Sequence, residues 1–169
     1  MNSTRKNRAL LLGLGALTIA VVLAGCSLLS IPVSPDVTRD EEGQITQEGM
    51  VDIFALKVGD CLPDDSIDGE ISDTPVVPCS EPHFYEIFHE FTLPEGDFPG
   101  DDALDEAFFA ECVPAFNDFV GALWEDSELW ASAINPTAQG WEEIDDRLVQ
   151  CVIFDPEGEV TGSLRGAER

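Results

Sequence analysis

Pro82-His83-Phe84-Tyr85-Glu86-Ile87-Phe88-His89-Glu90-Phe91-Thr92-Leu93 is the stretch on which the fold turns. Its aromatic residues and its alternation read as a β-strand. Alternation places His83, Tyr85, Ile87, His89 and Phe91 on one face, and Phe84, Glu86, Phe88 and Glu90 on the other. Just downstream, Pro99-Gly100-Asp101-Asp102 opens a helix. The two Asp supply capping oxygens and negative charge at the positive end of the helix dipole. Leu104, Phe108, Cys112, Phe116 and Phe119 recur every three or four residues and form one apolar stripe. Pro114 interrupts that stripe. It lacks an N–H and clashes with the preceding turn, so a kink or a break is expected there, with Gly121 as the stop. Leu129 to Ile134 fits a strand or a short helix. Arg147-Leu148-Val149-Gln150-Cys151-Val152-Ile153-Phe154 is a second strong strand, apolar enough to lie centrally in a sheet. Asp155-Pro156-Glu157-Gly158 turns the chain, and Val160 to Leu164 can return as a hairpin partner.

Upstream the strand signals are shorter. Ile53 to Val58 reads as a first strand, and Leu62 to Pro75 as a polar loop. Pro75-Val76-Val77-Pro78-Cys79 is a strand limited by its prolines. Strands with one helix over a face make an α+β, two-layer domain: an antiparallel sheet with one kinked or broken helix packed on it.

Further upstream the chain stops reading as a fold. Residues 1–25 carry Arg5, Lys6 and Arg8, then an uncharged run from Ala9 to Leu23. Fifteen residues reach only about 22 Å as a helix, short of a bilayer core of about 30 Å. Leu23-Ala24-Gly25-Cys26 follows. These residues resemble the lipobox of bacterial lipoproteins, which implies that residues 1–25 are a signal peptide, removed after Cys26 is acylated. Two acyl chains anchor stably where one does not. Residues 26–50, with Pro32, Pro35 and the run Asp40-Glu41-Glu42, read as an acidic flexible tether, and residues 51–169 as the globular domain.

The chain has 169 residues and a formal charge of −26, from eight bases against 34 acids. Only five of the bases lie beyond Gly25 with all 34 acids, which leaves that part at −29. Such a surface excludes DNA and RNA, whose phosphates reward Lys and Arg. Anionic headgroups also repel it, so contact with the membrane falls to the lipid alone. Partners are expected among envelope or membrane proteins, with basic surfaces and salt-sensitive association.

With Cys26 set aside, Cys61, Cys79, Cys112 and Cys151 remain. An even number in an exported domain points to disulfides, with three possible connectivities. Cys61–Cys79 with Cys112–Cys151 is preferred, because the first brackets one short excursion and the second staples the helix to a late strand. Loop closure gives about 3 and about 4 kcal/mol respectively. A four-Cys zinc site is the rival, but neither pair has C-x₂₋₄-C spacing.

Val58-Gly59-Asp60-Cys61, Val77-Pro78-Cys79-Ser80-Glu81-Pro82-His83 with Glu86, Pro99-Gly100, Cys112, Trp141 with Asp146-Arg147 and Cys151, and Thr161-Gly162-Ser163-Leu164 follow in order. Over residues 51–166 this resembles the septum-formation-related domain of actinobacterial membrane and secreted proteins. The resemblance implies an extracytoplasmic domain linked to septation, and it brings no reaction with it. Asp145 stands where a Gly usually precedes Asp-Arg in that pattern, so the turn is expected to differ.

Candidate chemistry is sparse. His83, Glu86 and His89 spell H-x-x-E-x-x-H, but on a strand Glu86 points away from both His, and the two His are about 20 Å apart. No metal ligand set is therefore assigned. Asp64-x-Ser66-x-Asp68-Gly69 resembles the front half of a calcium loop, but Pro75 stands where the bidentate Glu belongs. No Ser or Cys has a recognisable base, so no catalytic residue and no cofactor are assigned. Trp124, Trp130 and Trp141 are expected in the core, with an interface or a sugar-binding surface as the alternative. Trp141 is placed to cap the sheet beside Arg147, which needs a carboxylate partner, with Asp60 and Glu86 as candidates. His83, Glu86, Trp141 and Arg147 are the candidate binding residues. The expected role is a lipid-anchored, extracytoplasmic, non-catalytic binding module on the outer face of the cell membrane. The alternatives are a carboxylate-dependent hydrolase of wall polymer and a Ca²⁺-binding envelope sensor.

Overall fold

The strand at the centre of the sequence argument forms, with one irregularity that changes its faces. In the computed structural model of the chain, which describes residues 37–63 and 72–169, the sheet is built around Tyr85–Thr92. Cys26, residues 1–25 and the Asp64–Gly69 motif lie outside the described residues. All described residues belong to one compact unit. Among them no helix is long and apolar enough to cross a membrane.

In chain order the strands are β1 Gly49–Asp52, β2 Cys61–Leu62, β3 Asp73–Val76, β4 Tyr85–Thr92, β5 Trp130–Ile134 and β6 Leu148–Phe154. β2, β4, β6 and β5 make a four-stranded antiparallel sheet in that order, so β6 is internal, as its apolar run requires. β1 and β3 pair separately as an antiparallel ribbon.

A bulge sits in β4. Ile87 pairs with Val152, and the next partnered residue, His89, pairs with Cys151, leaving Phe88 as the extra residue. A bulge of one residue shifts the alternation by one. Phe88 and Phe91, expected on opposite faces, therefore pack against the same helix-side core. That core unites Phe88, Phe116, Phe119, Val120, Leu129 and Ile153.

The helical run is continuous from Asp101 to Val120, but its interior is not uniform. α1 is Asp101–Ala107, a π-helical stretch covers Phe108–Cys112, and α2 is Val113–Val120. Pro114 explains the middle section. Its ring crowds the carbonyl four residues back, that of Ala110, and widening the turn there relieves the clash without breaking the helix. Gly121 ends α2 in the left-handed conformation, its N–H donating to the Asn117 carbonyl. Gly100, not Asp101 or Asp102, occupies the N-cap, and no side chain caps it; the two Asp act from the first turn through charge.

The opposite face of the sheet is also covered. Ile45, Val51, Ile53, Leu56, Leu62, Val76, Ile87 and Val152 form a second core. This is why β6 is apolar on both faces: Cys151 and Ile153 face the helix side, and Val152 faces the ribbon side. Ile53–Ala55, expected inside a strand, is a 3₁₀ turn, its start capped by the Asp52 carboxylate on the Phe54 N–H. Residues 37–50, expected to be tether, belong to the folded body. Ile45 is buried, and the Arg39 guanidinium grips the Asp60 carboxylate at 2.5 and 2.7 Å. That grip raises the Arg39 pKa further, the Asp60 hydrogen bond outweighing desolvation.

Both preferred disulfides are present. Cys61–Cys79 ties β2 to the segment after β3, and Cys112–Cys151 ties the π-helical stretch to the middle of β6. Val160 to Leu164 does not form the expected hairpin partner. Val160 makes a single bridge with His83, after which the chain crosses to the end of α2. There the Gly166 and Glu168 N–H groups donate to the Phe119 and Val120 carbonyls.

Candidate functional site

The four candidate binding residues fall into two pairs at opposite ends of the β4–β6 ladder. Glu86 pairs with Ile153 near one end, and Thr92 with Leu148 near the other. Six strand positions separate the ends by roughly 20 Å.

At the first end, His83 and Glu86 are buried, at 0% and 2% exposure, so neither offers a surface. The bonds of Glu86 look inward. Its carboxylate accepts the Ser163 hydroxyl at 2.6 Å and the Leu164 N–H at 2.7 Å. This gives the Thr161-Gly162-Ser163-Leu164 element a physical role: it is the segment that the buried carboxylate clamps. His83 lies ahead of β4 and not within its alternation, so Glu86 does not point away from it as expected. A ring nitrogen of His83, a carboxylate oxygen of Glu86 and the Cys61 sulfur lie within 4.8 Å of one another. His89 is not part of this group; its ring stacks on Phe91.

At the second end, Trp141 and Arg147 form one unit. Trp141 sits on α3, Ala138–Glu143, whose N-cap is Thr137, with its hydroxyl accepting the Gly140 N–H. The indole N–H donates to the Gly96 carbonyl at 2.8 Å. The Arg147 guanidinium lies 3.5 Å from the Trp141 ring centroid, a cation–π contact of about 1–2 kcal/mol in a part-desolvated site. Neither expected carboxylate partner is free for Arg147. Asp60 is held by Arg39, and Glu86 by the C-terminal segment. Arg147 instead donates to the Trp141 and Asp146 carbonyls and pairs with Asp145 at 2.8 Å.

Asp145 has φ +59°, left-handed backbone that glycine adopts freely. The turn therefore keeps the shape a glycine would give it, and the departure at this position costs strain rather than a different path. Asp145→Gly is expected to change stability by no more than about 1 kcal/mol, since relief of the strain offsets loss of an exposed ion pair. Asp145→Val keeps the strain and loses the pair, and should cost about 1–2 kcal/mol. Thermal melts of the two variants check the ordering.

Arg147 edges a trough that the sequence reading missed. One hollow, of about 270 Å³, is lined by Ile53, Phe54, Ile134, Asn135, Ile144 and Gln150 among others. An adjoining one, of about 420 Å³, shares Phe54, Ile144, Asp146 and Leu148 with it and adds Glu95, Asp145 and Arg147. Phe54 and Ile144 stand on the rim at 50% and 62% exposure. Buried Gln150 donates to the Leu56 carbonyl at 3.4 Å, a long bond. The signal in the sequence was faint: Phe54, Ile134, Ile144 and Gln150 come from separate segments, and only the fold brings them together. Of the remaining tryptophans, Trp130 is exposed and Trp124 half-buried against Phe108 and Phe109.

Neither the curated proteins nor the solved structures provide a match to this chain. The family model described as septum formation matches residues 58–167. That span begins beside the Gly59-Asp60-Cys61 turn and ends just past the Ser163-Leu164 clamp, so it takes in both disulfides, the buried Glu86 and the Trp141–Arg147 unit. The chain belongs to the septum formation family.

Proposed function

We propose that this protein is a lipid-anchored, extracytoplasmic, non-catalytic binding module of the division septum, and that its trough takes a basic, partly apolar segment of an envelope or membrane protein. The observation that carries the reading is the trough itself. Two exposed apolar side chains, Phe54 and Ile144, flank a buried amide, Gln150. Concave sites that bind specifically have this make-up, apolar walls with a few fixed polar groups. Glu95, Glu143, Asp145 and Asp146 surround it, which favours a basic partner. The two disulfides favour an oxidising compartment. Leu23-Ala24-Gly25-Cys26 supports the anchor, with Cys26 as the acylated residue. Family membership supports the septal setting.

The test is photo-crosslinking in intact dividing cells, with a photoreactive residue at position 54. The expected result is one recurrent envelope protein. Ile144→Asp, an exposed change worth within about 0.5 kcal/mol of stability, should reduce its capture at least tenfold. Binding of the captured protein should weaken as salt rises. Capture of wall glycan would shift the reading to a polymer-directed hydrolase. Capture of nothing, or capture unaffected by Ile144→Asp, would remove the trough as the site.

A further inference from the structure

The pocket of buried chemistry at the other end of the ladder is not used by that reading and does not rest on it. We propose that Cys61, Cys79, His83 and Glu86 form a latent site for a zinc-class divalent cation, closed while Cys61–Cys79 is a disulfide and opened by a dithiol reductant.

Backbone pairing, not chance rotamers, assembles the four groups. Cys61 and Glu86 are direct partners on the β2–β4 ladder, which sets their side chains side by side. The disulfide brings Cys79 to the same place. His83 stands between Cys79 and Glu86 in sequence and is held by its bridge to Val160. The Cys61 sulfur, a His83 ring nitrogen and a Glu86 oxygen already lie within 4.8 Å of one another, close to the spacing of donors around one ion.

The state of His83 is the second, independent pointer. Its Nδ1 lies 2.8 Å from the Glu81 carbonyl, which can only accept, so Nδ1 carries the proton. Nε2 is left with its lone pair, fully buried and with no hydrogen-bond partner. A buried acceptor without a donor is costly. A carbonyl that fixes the tautomer while the other nitrogen is free is the arrangement of a metal-ligating histidine. The Ser163 hydroxyl and Leu164 N–H orient Glu86 in the same way, each occupying one oxygen and leaving further lone pairs.

The chemistry balances. A dithiol supplies two electrons and two protons and becomes a disulfide. The Cys61–Cys79 bond breaks and two thiols form. Binding of the cation then releases both thiol protons to solvent as two metal–sulfur bonds form, while Nε2 and the carboxylate coordinate without proton loss. Two sulfurs, one nitrogen and one oxygen suit tetrahedral zinc and not calcium or magnesium, which require oxygen ligands. Cys79 is partly exposed, which gives reductant and ion a way in.

Cobalt(II) tests this, because it reports tetrahedral thiolate ligation in its absorption spectrum. The full chain, reduced with a phosphine and freed of it anaerobically, should bind one equivalent of cobalt with a thiolate-to-metal charge-transfer band, and zinc should displace it. The oxidised chain should show no band. His83→Gln and Glu86→Gln should each weaken binding at least tenfold. One equivalent of zinc should raise the melting temperature of the reduced chain and leave that of the oxidised chain unchanged. The proposal is overturned by a reduced chain without the band or without zinc stabilisation, by a band that both substitutions leave intact, or by one that survives in C61S/C79S and so belongs to Cys112 and Cys151.

Discussion

Replacing Arg39 by alanine should destabilise the domain by about 3 kcal/mol, measured by urea unfolding, although the sequence places this residue in a tether. Asp60 is 1% exposed, and the Arg39 guanidinium meets both of its oxygens. Breaking a buried pair from one side leaves the other charge without compensation, a loss of about 3–5 kcal/mol. The lower end applies because Arg39 itself is 17% exposed and the Lys57 N–H still donates to the carboxylate. The signature that separates this mechanism from simple fraying of the N-terminal segment is rescue. Asp60→Asn in the Arg39→Ala background removes the orphaned charge and keeps an oxygen for the Lys57 N–H, so it should restore at least about 1 kcal/mol. A penalty that the second substitution does not reduce would mean that Arg39 acts only by holding residues 37–50 in place.

Arg39 also marks where legibility in the sequence stops. Composition alone made 26–50 a tether, since prolines and an acidic run carry no periodic apolar signal. The contact that folds residues 37–50 onto the body joins two residues 21 positions apart, and Ile45 is a lone apolar residue that becomes visible only when β1 and β3 present a core to receive it. The strands at 82–93 and 147–154, the helix with its irregularity near Pro114, its stop at Gly121 and both disulfide pairings were readable, because each is a local or a counting argument. The bulge at Phe88 was not. It exists because Phe88 and Phe91 must both reach the helix-side core, a demand set by α2 and not by β4. The candidate site divides in the same way. Trp141 and Arg147 were read together because they are close in sequence and one is among few bases. The sequence offers His83 and Glu86 as candidate binding residues, but the bridge to Val160 and the clamp on Ser163 bury them, and those contacts come from residues about 77 positions away. The trough at Phe54 and Ile144 leaves only a faint signal, because its residues come from separate segments.

Removal of the Cys112–Cys151 bridge by paired alanine substitution should cost about 4 kcal/mol in urea unfolding, more than removal of Cys61–Cys79. The bridge closes the longer loop, with a separation of 39 residues against 18, and the chain-entropy estimate is about 4 against about 3 kcal/mol. The environment widens the gap. Cys112 and Cys151 are both fully buried, in the core with Phe88, Phe116 and Ile153, so two missing sulfurs leave a void that packed neighbours fill only in part. Cys112 also ends the π-helical stretch, and the bridge pins that turn to the middle of β6. The two bridges should accordingly separate under a mild dithiol in native buffer. Cys79, the partly exposed thiol, should become alkylatable first while Cys112 and Cys151 stay protected until the domain unfolds, as read by mass spectrometry of labelled peptides. Simultaneous labelling of all four would mean that the inner bridge opens through the same local motion as the outer one. It would also remove the selectivity on which a reductant-opened metal site depends. Protection of the inner pair would show that the fold can survive the opening of one bridge because the other carries the helix.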